Sequence, residues 1–201
     1  MSRLDAMIES APAGQESAGQ PGQARKNRIS LKTGLGDRYR DEWDRPSDDE
    51  WARNFCKINE AHNKGAILAI IGPRGTGKTR LAAEAIREVG ESARYATAMN
   101  IFLRVRESYG KSATESELDI VKELSRCPLL VIDEIQERGN SQWEDRILTH
   151  IIDNRYSNLR CTVIIANMTS GKLIENVGPS IADRMNEAGG IIELKGASRR
   201  E

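Results

Sequence analysis

Residues 72–79, Gly72-Pro73-Arg74-Gly75-Thr76-Gly77-Lys78-Thr79, follow the pattern G-x-x-x-x-G-K-S/T in full, and this stretch restricts the fold more than any other. It sits between an apolar run, Ala66–Ile71, and an amphipathic one, Lys78–Val89, which turns Leu81, Ala85 and Val89 to one side. A strand must therefore enter a glycine-rich turn and leave it as a helix. Glycines are required because the turn folds its backbone N–H groups round an anion, and side chains would block the approach. The N-terminus of the helix adds partial positive charge at the same point. The expectation is a phosphate loop in which Gly72 to Arg80 (Gly72, Pro73, Arg74, Gly75, Thr76, Gly77, Lys78, Thr79 and Arg80) surround the phosphates of ATP. Lys78 would reach the β- and γ-phosphates, and the Thr79 hydroxyl would bind Mg²⁺.

A second apolar run, Leu129–Ile132, ends in Asp133-Glu134. An acidic pair after such a run commonly just ends a strand in solvent. Downstream of a complete phosphate loop it reads as a Walker B strand, with Asp133 holding Mg²⁺ through water and Glu134 polarising the attacking water as general base. Thr162–Ala166 is a third apolar run, and Asn167 follows it at the sheet edge where a γ-phosphate or lytic water would lie. The alternative for Asn167 is a turn or cap residue, since Thr169-Ser170-Gly171 comes next.

Two further short runs, Ala93–Ala98 and Ile191–Leu194, bring the predicted strands to five, and helical patterns fill the gaps: Asn100–Tyr109, Glu115–Leu124 and Ser141–Tyr156. Apolar strands alternating with helices belong to a parallel sheet covered on both faces. The predicted class is α/β, a P-loop NTPase. Ser141 and Glu144 form an S-x-x-E capping box at the start of one helix. Ser47, Asp48 and Asp49 offer caps for another, on which Trp51, Phe55 and Ile58 share a face.

Lysine plus arginine equals aspartate plus glutamate at 30 each, so any nucleic-acid contact has to come from a local patch. No apolar run approaches the roughly 20 residues of a membrane helix, and the N-terminus lacks a secretory signal's apolar core, so the expected location is the cytoplasm. The three cysteines, Cys56, Cys127 and Cys161, have no metal-site spacing and read as reduced packing residues. Residues 1–46 are expected to be a flexible tail or arm, disordered over Ala11–Gln23 and, over Arg25–Arg45, a tether or an arm that orders only on a partner, followed by one ATPase domain over residues 47–201.

The order of these segments, with Asp153-Asn154-Arg155-Tyr156 and Gly178-Pro179-Ser180-Ile181-Ala182-Asp183-Arg184, resembles the DnaC/IstB branch of AAA+ ATPases from about Trp51 to Arg200. The resemblance implies a three-layer AAA+ sandwich and a homo-oligomer. It further implies an ATP-hydrolysing helicase loader that works with a replicative DnaB-type helicase on single-stranded DNA, or an IstB-like protein that stimulates a transposase. A nucleotide-dependent binding switch with negligible turnover is a further alternative. Asn167 would be the sensor 1 residue, Arg184 an arginine finger reaching the next subunit's nucleotide, and Arg200 the arginine of a Ser-x-Arg near the family's end. From the residues alone, Arg184 beside Asp183 reads equally as a surface residue or salt-bridge partner, and Arg155 as an interface residue or a solvated helix end. The chain departs from the branch in its short N-terminal tail, which carries no ligand cluster. It also stops just after the last predicted strand, from which a minimal or absent helical lid is expected.

Overall fold

The computed structural model of the chain describes residues 32–39 and 48–196. Five strands form one parallel sheet: β1 (Ile67–Ile71), β2 (Arg94–Thr97), β3 (Leu129–Asp133), β4 (Cys161–Ala166) and β5 (Gly190–Glu193), in the order β2-β3-β4-β1-β5. Seven α-helices are described: α1 (Asp49–Lys64), α2 (Lys78–Val89), α3 (Ala98–Glu107), α4 (Glu117–Arg126), α5 (Gln142–Ser157), α6 (Ser170–Val177) and α7 (Pro179–Ala188). β1, β3 and β4 are buried along their whole length. Alternation in the strands splits the core in two. Ile67, Ala69, Ile71, Leu130, Ile132 and Ile164 pack with α3 to α7, whereas Leu68, Ile70, Leu129, Val131, Val163 and Ile165 pack with α1 and α2. The result is the predicted three-layer arrangement. Among the described residues no helix is long and apolar enough to cross a membrane.

Helix boundaries follow the expected caps. The Asp48 carboxylate accepts the Trp51 N–H at 2.7 Å, and Trp51 and Ile58 are buried beneath it. Ser141 and Glu144 close the capping box reciprocally. The helices predicted at Asn100 and Glu115 are each displaced by two residues, because Thr97 and Ser116 are the side chains that cap α3 and α4. Thr169 is the N-cap position of α6, and Pro179 starts α7 directly afterwards.

Two further readings are corrected. Within the stretch expected to be a tether, residues 32–39 lie against the domain: Leu35 is buried with Trp51 and Ile58, Lys32 pairs with Glu91 at 2.6 Å, and the Arg87 guanidinium donates to the Tyr39 carbonyl. Gly34 takes φ +79°, and a Cβ there would stand 2.5 Å from the Tyr95 carbonyl oxygen, so only glycine passes this point of β2 without displacement. Two apolar side chains, Leu35 and Tyr39, among charges and glycines carry no periodicity, which is why the packing is invisible in the sequence. Ala11–Gln23 and Arg200 lie outside the described residues.

Arg155 is neither an interface residue nor a solvated helix end, since it is fully buried. Its guanidinium donates to Thr162 Oγ1 at 2.8 Å, to the Leu124 and Cys127 carbonyls at 2.6 and 2.9 Å, and to the Cys161 carbonyl. It therefore ties α5 to the end of α4 and the start of β4. Burial pushes the Cys161 thiol up to about 12 and raises Cys127 as well, so both stay protonated packing groups. Cys56, by contrast, is exposed. Replacing the guanidinium leaves several buried acceptors without donors, each costing about 1–3 kcal/mol. Arg155→Met is expected to lower unfolding stability by about 3–5 kcal/mol, read as a fall in the urea midpoint at unchanged slope.

Candidate nucleotide site

The phosphate loop leaves β1 and closes on itself. Gly72, Gly75 and Gly77 have φ of 138°, 87° and 95°, backbone regions that side chains rarely enter. At Gly72 a Cβ would also stand 2.2 Å from the Leu194 carbonyl oxygen, where the chain leaving β5 crosses the loop. Thr76 Oγ1 donates to the Pro73 carbonyl at 3.0 Å. Gly77 is the N-cap of α2 and, having no side chain, makes no capping hydrogen bond; the partial positive charge of this helix N-terminus lies at the close of the loop. Lys78 is buried, its ammonium donating to the Gly72 and Pro73 carbonyls at 2.9 and 2.6 Å. Its charge thus stays inside the loop that the motif assigns to phosphate. Arg80 is half-buried in the first turn of α2, while Arg74 is exposed and reaches Glu137 at 3.4 Å.

Asp133 ends β3 as a buried carboxylate with three donors. Thr79 Oγ1 donates to its Oδ2 at 2.8 Å, the Tyr95 hydroxyl to the same oxygen at 2.9 Å, and the Glu134 backbone N–H to Oδ1 at 2.7 Å. A hydroxyl and a carboxylate side by side are hard oxygen ligands of the kind Mg²⁺ takes beside substrate phosphates. Burial, together with the neighbouring Asp133 charge, pushes the Tyr95 phenol far above its usual value, so it remains a donor at any working pH. Glu134 is exposed and adopts φ 53°, ψ 44°. That left-handed conformation costs a non-glycine residue about 1–2 kcal/mol. It turns the chain sharply out of β3, and strain of this kind concentrates at functional positions.

Asn167 follows β4 and receives its place from the β3 side, its backbone N–H donating to Gln136 Oε1 at 3.2 Å. The turn carrying Gln136 is fixed in turn by Arg138, which pairs with Asp145 at 2.7 Å and donates to the Asn176 carbonyl of α6. Thr79 and Asp133 are thus directly bonded, Lys78 precedes Thr79 with its ammonium on the loop carbonyls, Glu134 follows Asp133, and Asn167 is tied to Gln136. Arg184 stands apart on α7. It pairs with Asp153 at 3.1 Å, stacks on the Tyr156 ring at 5.4 Å, and donates to the Ser180 carbonyl at 2.9 Å. Sequence reasoning missed Tyr95, Gln136 and Arg138. The register Tyr95↔Val131 places Tyr95 diagonal to Asp133 on one face of the sheet, a signal that exists only once strand pairing is known.

A family model described as "IstB-like ATP binding protein" matches residues 54–201. The chain belongs to this family. Among curated relatives of this IstB-like chain, the replicative helicase loader DnaC of Escherichia coli K12 is 34% identical over 131 residues, 64% of this chain and 53% of that protein. DnaC of Buchnera aphidicola subsp. Baizongia pistaciae is 29% identical over 139 residues, 68% of this chain and 54% of that one. The IstB-like chain therefore spans about half the length of the curated relatives it matches. Its fold superposes on the crystal structure of the DnaC helicase loader with a TM-score of 0.63, at 23% identity, over 80% of this chain and all of that one. AMPPCP-bound DnaA from Aquifex aeolicus gives 0.64 at 20% identity, over 75% of this chain and 48% of that one. Both likenesses are of fold, the three-layer arrangement on a parallel five-stranded sheet.

The backbone at position 134 makes a demand independent of chemistry. Glycine there relieves the left-handed strain, while a β-branched residue increases it. Glu134→Gly is expected to match or exceed wild-type thermal stability by up to about 1 kcal/mol, and Glu134→Val to fall below it by more than about 1 kcal/mol.

Proposed function

We propose that this chain is a Mg²⁺-dependent ATPase that assembles as a homo-oligomer and places a replicative DnaB-type helicase on single-stranded DNA. The observation that carries the ATPase reading is the 2.8 Å contact between Thr79 and Asp133, which joins the phosphate loop to the acidic strand end. Lys78, already turned into the loop, binds the β- and γ-phosphates. Thr79 and Asp133 hold Mg²⁺, which when bound neutralises charge developing on the transferred phosphoryl group. Glu134 takes the proton of the attacking water, and Asn167, held by Gln136, orients that water. Arg184 serves the nucleotide of the next subunit. Its tie to Asp153 does not oppose this, because a part-exposed pair of this kind is worth about 1 kcal/mol or less.

The helicase reading is supported by the relatives named as replicative helicase loaders. An IstB-like partner of a transposase is the second reading, favoured by the family description. Immobilised chain presented with purified DnaB-type helicase and with transposase, in ATP, separates the two. The proposal expects helicase retention that Lys78→Ala abolishes; retention of transposase alone supports the second reading.

The trans role of Arg184 makes a sharper demand. Arg184→Ala is expected to bind ATP normally and to hydrolyse it at least tenfold more slowly. Mixed with Lys78→Ala, it recovers part of the activity, because some junctions then join an intact phosphate loop to an intact arginine. No recovery in mixtures shown to contain mixed oligomers defeats the trans assignment.

A further inference from the structure

We infer that Tyr95 is a positioning residue for the metal site: its hydroxyl fixes the rotamer of Asp133 in which one carboxylate oxygen faces Thr79. The inference rests on the Mg-ATP reading above and adds a residue that the phosphate-loop and Walker B patterns do not contain.

Three features support it. Tyr95 and Thr79 donate to the same oxygen, Asp133 Oδ2, at 2.9 and 2.8 Å, while the Glu134 N–H takes Oδ1 at 2.7 Å. A carboxylate held by one donor on Oδ2 can still tilt about its Cβ–Cγ bond, which is a soft torsion. With two donors on Oδ2 and one on Oδ1, the plane of the carboxylate is held. Second, the donor comes from a different strand. Tyr95 sits on β2, whose last residue, Thr97, pairs with Asp133, so the hydroxyl is delivered by a strand level with the acidic end and not by a loop. Third, β2 is backed at this residue. The turn at Gly34 passes so close to the Tyr95 carbonyl that it admits no side chain, and the Tyr95 ring packs with the core that contains Leu35 and Val131. Outer partners that orient a ligating carboxylate tune affinity for the metal without touching it, and their loss characteristically weakens binding by ten- to a hundredfold.

The test is a titration of Mg²⁺ against the affinity for a fluorescent ATP analogue, with the metal-free affinity measured in EDTA, for wild type, Tyr95→Phe, Asp133→Asn and the double variant. Tyr95→Phe keeps the ring and its packing. The expected result is a Mg²⁺ midpoint raised about tenfold, with metal-free affinity and thermal midpoint unchanged. In the Asp133→Asn background, Tyr95→Phe is expected to add no further shift, since both act on one carboxylate. An unchanged midpoint in Tyr95→Phe overturns the inference while leaving the Mg-ATP reading intact. So does a parallel loss of metal-free affinity and thermal stability, which marks the tyrosine as a packing residue. A wild-type protein whose nucleotide affinity ignores Mg²⁺ overturns the Mg-ATP reading, and the inference with it.

Discussion

A parallel sheet buried on both faces leaves its chain one place for ionised groups, the ends of its strands. In this protein β1, β3 and β4 are closed off by helices on either side, and the polar residues that must be near one another follow their last apolar residues. The hydrogen bond from Thr79 to Asp133 is the outcome of that geometry. Because β4 lies between β3 and β1 in the sheet, the loop after β1 has to lean across the end of β4 to reach the acid on β3. Positive φ at Gly72, Gly75 and Gly77 makes such a path available to the backbone.

Charge is confined there in an unequal way. Lys78 keeps an ammonium inside the domain by giving its protons to the loop's own carbonyls, and Asp133 keeps a carboxylate there by accepting three donors. Arg155 does the same at the opposite ends of the strands, with carbonyls and a hydroxyl in place of a counter-ion. Buried charges survive only when every proton or lone pair is answered. Arg155 is therefore a mechanical tie between elements, and Lys78 and Asp133 are the two buried charges of the proposed nucleotide site.

What could be read in advance follows from how local each signal is. The central strands are runs of Ile, Leu, Val and Ala that have no other stable home, and the phosphate loop is contiguous, so both were legible. Capping side chains located α1 and α5 to within a residue. The contributions of Tyr95, Gln136, Arg138 and Arg155 depend on partners from 6 to 38 residues away across strands or helices, and nothing in their immediate neighbours distinguishes them from surface residues. Leu35 was hidden for the converse reason: only Tyr39 of its segment packs beside it, and two apolar residues among Lys, Gly, Asp and Arg have no period to detect. Arg184 read from its neighbours as a surface residue or salt-bridge partner, and within the chain it pairs with Asp153 and stacks on Tyr156.

The strand register sets how this domain can vary in length. Ile132 is level with Ile164, and Ile70 with Ile165, so the loop, the acid and Asn167 meet because three strands stop together. Removing one residue from β3 would draw its end back by about 3.3 Å and turn the following side chains to the other face of the sheet. Asp133 would then point into the helices packed on Leu130 and Ile132. Residues 108–116, between α3 and α4, belong to no strand and leave this alignment untouched whatever their number. Insertions and deletions should therefore accumulate in that connection and be absent from β1, β3 and β4, a pattern of tolerance drawn by the sheet and not by the nucleotide.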